Sequence, residues 1–236
     1  MKQNKGENFW LNLACNIAAP SLLLIKGRWL FERLCGEFSN IDIVVFVVAL
    51  LFPVSYGVFD LFSRRKWNLF SIIGLASVLL TGGFGLMNLS KNWIIAKEAL
   101  VPLLLGGAVL ATACTKRPLA KMIVLSDSVF DVPKIESALD ARGSRPQFDA
   151  QMKSITYIVA ASFLLSSVLN FILASCIFTS PAGTPEFNEQ LGKMTALSYP
   201  VIVLPTMAVF IFAMVRFFKA LDSLTGLKIE DIVLKK

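Results

Sequence analysis

Few residues in this sequence join a reactive type to an informative spacing, and those that do lie in apolar surroundings. Glu98 stands four positions before Pro102, and Asn16 stands four before Pro20. Because proline lacks an N–H, the carbonyl four residues earlier loses its helical hydrogen bond. Each pair predicts a polar notch in an apolar helix, and two such notches side by side would line a hydrated cavity. The competing reading is structural: Glu98 snorkels to the nearby interface, and Asn16 bonds a neighbouring helix. Asp60 is a further ionisable group near the end of an apolar run, and Asp42 opens that run as an N-terminal cap favoured by the helix dipole.

The rest of the inventory excludes most chemistry. The chain has no histidine, which removes the usual metal ligand, general base and proton relay together. Cys15, Cys35, Cys114 and Cys176 are far apart with no CxxC pair, and they read as small packing residues. A membrane enzyme would need Glu98, Asp60 or Asp127 as acid or base, and no two of these pair by spacing. No catalytic residue, metal site or cofactor is therefore expected. Gly82, Gly83 and Gly85, with Gly106 and Gly107, fit no nucleotide-loop pattern and read as positions where helices approach closely.

The elements that must hold these residues are set by hydropathy. Hydrophobic residues make up 56% of the 236 positions and charged ones 17%, against about 25% charged in soluble domains. A helix of roughly 20 apolar residues spans the hydrocarbon core. Six segments approach this: Phe9 to Ile25, Ile41 to Phe62, Leu69 to Met87, Ile94 to Ala113, Ile155 to Phe178, and Ala196 to Phe218. Leu13-Ala14-Cys15 faintly resembles a lipoprotein cleavage site, but the apolar run continues to Ile25, so this segment is read as the first membrane helix. The expectation is an all-α polytopic membrane protein, a single membrane domain over residues 1–236.

Orientation follows from the basic residues. With the N-terminus inside, the cytoplasmic pieces hold 17 of the 23 Lys and Arg and the opposite face 6, which places both termini in the cytoplasm. Trp10, Trp29, Trp67 and Trp93 fall near the helix ends, where an indole keeps its N–H wet. The net charge of +7 is scattered through the gaps rather than clustered, which disfavours nucleic acid and suits anionic headgroups.

In the longest gap, Thr115 to Ser154, Asp131 caps a short helix that begins at Pro133 and stops before Gly143. Its apolar flank, Ile123, Val124, Leu125, Val129 and Phe130, rests on the headgroup layer while Lys116, Arg117 and Lys121 meet anionic lipid; otherwise the gap is an ordinary connector. The echo between Asn16…Pro20 and Glu98…Pro102 is either chance or the trace of a three-plus-three inverted repeat.

Three separated signatures then stand in order: Leu80-Thr81-Gly82-Gly83-Phe84-Gly85-Leu86, Trp93-Ile94-Ile95-Ala96-Lys97-Glu98, and Thr115-Lys116-Arg117-Pro118-Leu119. Leu169-Asn170-Phe171 and Phe187-Asn188 follow them. This order resembles the intracellular septation protein A (YciB) family and its VC0807-like relatives over roughly Trp67 to Phe217. The first helix differs, with Asn12, Asn16 and Pro20 in place of aspartates, and the loop from Ser126 to Asp149 is longer. The resemblance implies a bacterial inner-membrane protein linked to envelope integrity and division, with no catalytic residues to transfer. Two readings of function follow. One is a non-enzymatic envelope protein acting through lipids, a protein partner or a second copy of itself. The other is a small secondary transporter or channel with a polar site between the first and fourth helices.

Overall fold

The computed structural model describes residues 14–64, 69–87, 89–113, 115, 118–125 and 129–234, with side chains for all of these except 60–64, 69–75, 78, 122 and 229. Among them the regular structure is helical, apart from one antiparallel bridge between Phe130 and Val233. The helices are α1 (Ala19–Cys35), α2 (Ile41–Arg64), α3 (Leu69–Leu86), α4 (Lys91–Thr112), α5 (Leu119–Val124), α6 (Val132–Ala141), α7 (Arg145–Ile177), α8 (Pro185–Ser198), α9 (Leu204–Thr225) and α10 (Ile229–Ile232). Short π-helical turns, Ala14–Ala18 and Tyr199–Val203, lead into α1 and α9. Both lie beside prolines, Pro20 in the first case and Pro200 and Pro205 in the second, where the regular ladder must shift.

Four helical runs among the described residues are long and apolar enough to cross a membrane: Ile41–Phe59, Lys91–Thr112, Arg145–Ile177 and Pro185–Thr225. In none of their apolar windows is more than 28% buried by protein. Side chains such as Leu104, Val168, Phe171, Ile211 and Phe212 stay more than half exposed. Apolar surface on this scale is stable only in an apolar solvent, which fits insertion into a bilayer.

The expected boundaries shift in three places. The first segment, expected to stop at Ile25, continues as α1 through Lys26, Arg28 and Arg33 to Cys35. No proline interrupts this stretch, and Arg28 pairs with Glu32 one turn on, at 2.8 Å. The helix stops only where Gly36 takes φ 76°. Arg28 also reaches Asp42 of α2 at 2.8 Å; the Glu32 hydrogen bond first, and then the Asp42 charge, raises the guanidinium pKa above its ordinary value. The fifth segment begins ten residues before Ile155, at Arg145. The sixth belongs to a helical run extending from Pro185 to Thr225.

Two compact units are present, and they do not coincide with the first three and last three apolar segments. Unit 1 comprises residues 1–99 and 170–201, and unit 2 residues 100–169 and 202–236. In unit 1, α1 packs against α2 and α8 through Pro20, Ser21, Leu24 and Gly27, a face repeating at the helical period. Phe178 stacks on Phe187 at 5.4 Å, and Phe187 meets Phe46 of α2 at 6.4 Å.

In unit 2, Asp131 accepts a hydrogen bond from the Lys134 N–H at 3.1 Å, and Pro133 occupies the first turn of α6. The apolar flank expected on the headgroup layer is placed otherwise. Val124, Leu125 and Phe130 are buried, sharing a core with Ile135, Leu139, Phe148, Met152, Phe217 and Leu221. The physical reason is the chain end: the Asp131 N–H donates to the Ile232 carbonyl at 2.8 Å and the Leu234 N–H to the Val129 carbonyl at 2.9 Å. These bonds draw the loop and the C-terminal segment together over the apolar side chains. Only Val129 of that flank remains largely exposed.

Gly226 ends α9 in the left-handed conformation, φ 66°, with the Arg142 guanidinium where a Cβ would project. Gly226→Ala is expected to cost about 1–2 kcal/mol from backbone strain, read as a lowered unfolding midpoint in detergent. An unchanged midpoint would contradict this account of the cap.

Candidate functional site

A cavity of about 180 Å³ opens within unit 1. Its polar lining is Asn16, Ser77, Thr81, Lys97, Glu98 and Thr195. Its apolar wall is Pro20 and Leu24 of α1, Leu50 and Pro53 of α2, and Leu191 of α8. Asn16 sits in the π-helical turn before α1, a distortion often found at functional sites because it breaks the regular ladder. Pro53, inside α2, denies the Ala49 carbonyl its helical partner.

Lys97 is the centre of the polar cluster. Its side chain is 7% exposed, inside one of the four apolar helices. A buried ammonium is tolerable only if its three donors find acceptors. Here Nζ donates to Thr81 Oγ1 at 2.6 Å and to Ser77 Oγ at 3.4 Å, and it pairs with Glu98 Oε1 at 2.7 Å. Ser77 and Thr81 are four residues apart and so share a face of α3. The Thr81 hydroxyl donates to the Ser77 carbonyl at 3.0 Å, which turns its oxygen into an acceptor for Lys97. Adjacent residues on a helix normally diverge, so the Lys97–Glu98 contact requires both side chains to bend toward one space. Glu98 remains 22% exposed, which gives the pair an opening.

Of the sequence-predicted notch residues, Asn16, Pro20 and Glu98 come together around this cavity. Pro102 lies one turn beyond Glu98 in α4 and belongs to unit 2. The Asp60 side chain lies outside those described, as do Lys116 and Arg117. Lys121 pairs with Glu136 at 3.4 Å, and Glu136 also takes Arg145 at 3.3 Å. Among the described residues, no three His, Cys, Asp or Glu side chains gather as a metal site would require.

The glycines separate by environment. A Cβ on Gly82 would lie 3.1 Å from Leu50, one on Gly85 would enter the Phe46 ring, and one on Gly106 would lie 3.0 Å from the Phe163 Cβ. Gly83 and Gly107 would meet none of the described residues within 4 Å. Two tighter positions were not among the sequence candidates. Gly27 lies against Val45, and Gly192 lies against Ser21, Leu24 and Ile25, in each case a single glycine with no second one beside it to flag it.

Ser77 and Thr195 are polar lining residues that the sequence did not single out, and Lys97 and Thr81 stood in it only within the family signatures, not as site candidates. Lys97 counts as an outer-face charge when loops are tallied. Its signal is positional, because it follows Ile94 by three residues, and two such positions share a helix face; Ile94 is fully buried. No family model matches the chain, and neither a curated protein nor a solved structure matches it.

Proposed function

We propose that this chain is a small multipass transporter of the bacterial inner membrane, crossing it six times with both termini in the cytoplasm, and that it passes a small polar solute through the Lys97–Glu98 cavity. One observation carries the reading: a buried lysine, ion-paired and ringed by hydroxyls, at a cavity of about 180 Å³ beside one π-helical turn and two prolines. Packing alone gives little reason to bury a charge inside an apolar helix, where insertion costs about 2.5 to 3.5 kcal/mol at the helix centre. Ionisable groups there mark substrate or ion pathways by default. The resemblance to the septation protein A family falls on the same residues, since its first two signatures contain Thr81, Lys97 and Glu98. Anionic headgroups complement the basic pieces on the cytoplasmic side.

Purified protein in liposomes is expected to catalyse saturable flux of a small polar solute, and Glu98→Gln to reduce it at least tenfold. Flux unaltered by the substitution would overturn the assignment of the site. Reporter tags at the two ends should both read out from the cytoplasm, and opposite compartments would refute the topology.

A second reading is a non-enzymatic role in envelope integrity through a lipid or protein partner, including a second copy of the chain. The core that α6 and the C-terminal segment build in unit 2 favours it, because the long gap is then a folded element rather than an open connector. Crosslinking in intact cells that recovers a partner from α6, in a protein without flux, would select this reading.

A further inference from the structure

We infer that the solute is a small zwitterion of the amino-acid type, an inference that rests on the transport reading and names its substrate class. Among the described residues the lining contains one ammonium and one carboxylate, so their charges balance. A lone anion or cation entering it would leave one of the site's charges without a counter-charge, which is costly where protein shields the pair from bulk water. A solute that is neutral overall but carries both poles leaves neither unmatched.

The two poles have separate places. Lys97 is the cationic donor, and its longest hydrogen bond is the one to Ser77, at 3.4 Å against 2.6 Å to Thr81. A solute carboxylate that takes over this third donor exchanges a weak bond to a hydroxyl for a charge-assisted one. The opposite pole meets acceptors. The Thr195 hydroxyl donates its proton to the Leu191 carbonyl at 2.9 Å, so its oxygen faces any ligand as an acceptor, and Glu98 supplies the carboxylate. An ammonium is complementary to both.

Size narrows the class further. A volume of about 180 Å³ lies below the roughly 300–1,000 Å³ of pockets that take drug-sized ligands, so the site suits a small solute.

The test uses the full chain in lipid nanodiscs and radiolabelled L-alanine, with unlabelled L-alaninamide and propionate as cationic and anionic analogues of nearly equal size. Saturable L-alanine binding is expected, with both analogues displacing it at least tenfold more weakly than unlabelled L-alanine. Thr195→Val should weaken L-alanine binding about fivefold with an unchanged melting profile, which separates a lost acceptor from a lost fold. Equal or tighter binding of propionate or L-alaninamide would overturn the zwitterion assignment while leaving the transport reading intact. Absence of L-alanine binding alongside flux of another solute would do the same. Absence of both binding and flux would remove the two together.

Discussion

Lys97→Met is expected to destabilise the protein by about 3 kcal/mol, because it removes one partner of a buried pair and leaves the other uncompensated. The Glu98 carboxylate would lose the ammonium at 2.7 Å, and the Thr81 oxygen would lose its donor at 2.6 Å. Replacing both charges should cost far less than removing one, so Lys97→Met with Glu98→Gln is expected to recover at least half the loss. Thermal unfolding in detergent measures both variants. A single variant as stable as the parent would show that Lys97 is not held by these partners, and a double variant no better than the single would place the loss elsewhere. Both variants should abolish solute flux, since the double restores packing without restoring the charges.

Gly192→Val carries the second large effect. The added Cβ would lie 2.9 Å from the Ser21 carbonyl oxygen and 3.0 Å from the Leu24 Cβ, atoms that move only if α1 and α8 separate. Overpacking of this kind costs about 1–3 kcal/mol, and the backbone obstacle puts it near the upper end. Gly107→Ala provides the contrast. Its Cβ would meet none of the described residues within 4 Å, and alanine is the better helix former by about 1 kcal/mol, so stability should stay level or rise. Because α1 contributes Pro20 and Leu24 to the cavity and α8 contributes Leu191 and Thr195, Gly192→Val should also impair flux. Equal unfolding midpoints for the two glycine variants would contradict the close approach of α1 and α8.

The helical class was readable because runs such as Ile41–Phe59 leave no alternative once their apolar content exceeds what a soluble core can bury. Local chemistry was readable too: Asp131 and Pro133 mark the start of α6 in a way that needs no tertiary information. What hydropathy could not convey was partnership. The charged stretch from Lys26 to Arg33 reads as a loop, yet helical propensity and the Arg28–Glu32 pair keep it in α1. Val124 and Phe130 read as a lipid-facing flank because their cover comes from Ile232 and its neighbours, about a hundred residues away.

The site was half legible for a similar reason. Asn16, Pro20 and Glu98 announce themselves by breaking an apolar pattern, and they share one cavity. Ser77 and Thr81 do not, because isolated hydroxyls are common in membrane helices, where they bond their own backbone. Only the position of Lys97 between α3 and Glu98 turns two ordinary hydroxyls into ligands for a charge.

Passage of a polar solute requires that water reach the Lys97 cavity. Single cysteines at Ser77 and Thr195, introduced after replacing Cys15, Cys35, Cys114 and Cys176, can be challenged with a small membrane-impermeant methanethiosulfonate reagent. Val159→Cys, in the fully buried core of unit 2, serves as the dry reference. Ser77→Cys and Thr195→Cys are expected to react at least tenfold faster than Val159→Cys in intact membranes. Reaction at both positions as slow as at Val159 would mean a dry cavity and would contradict the transport reading.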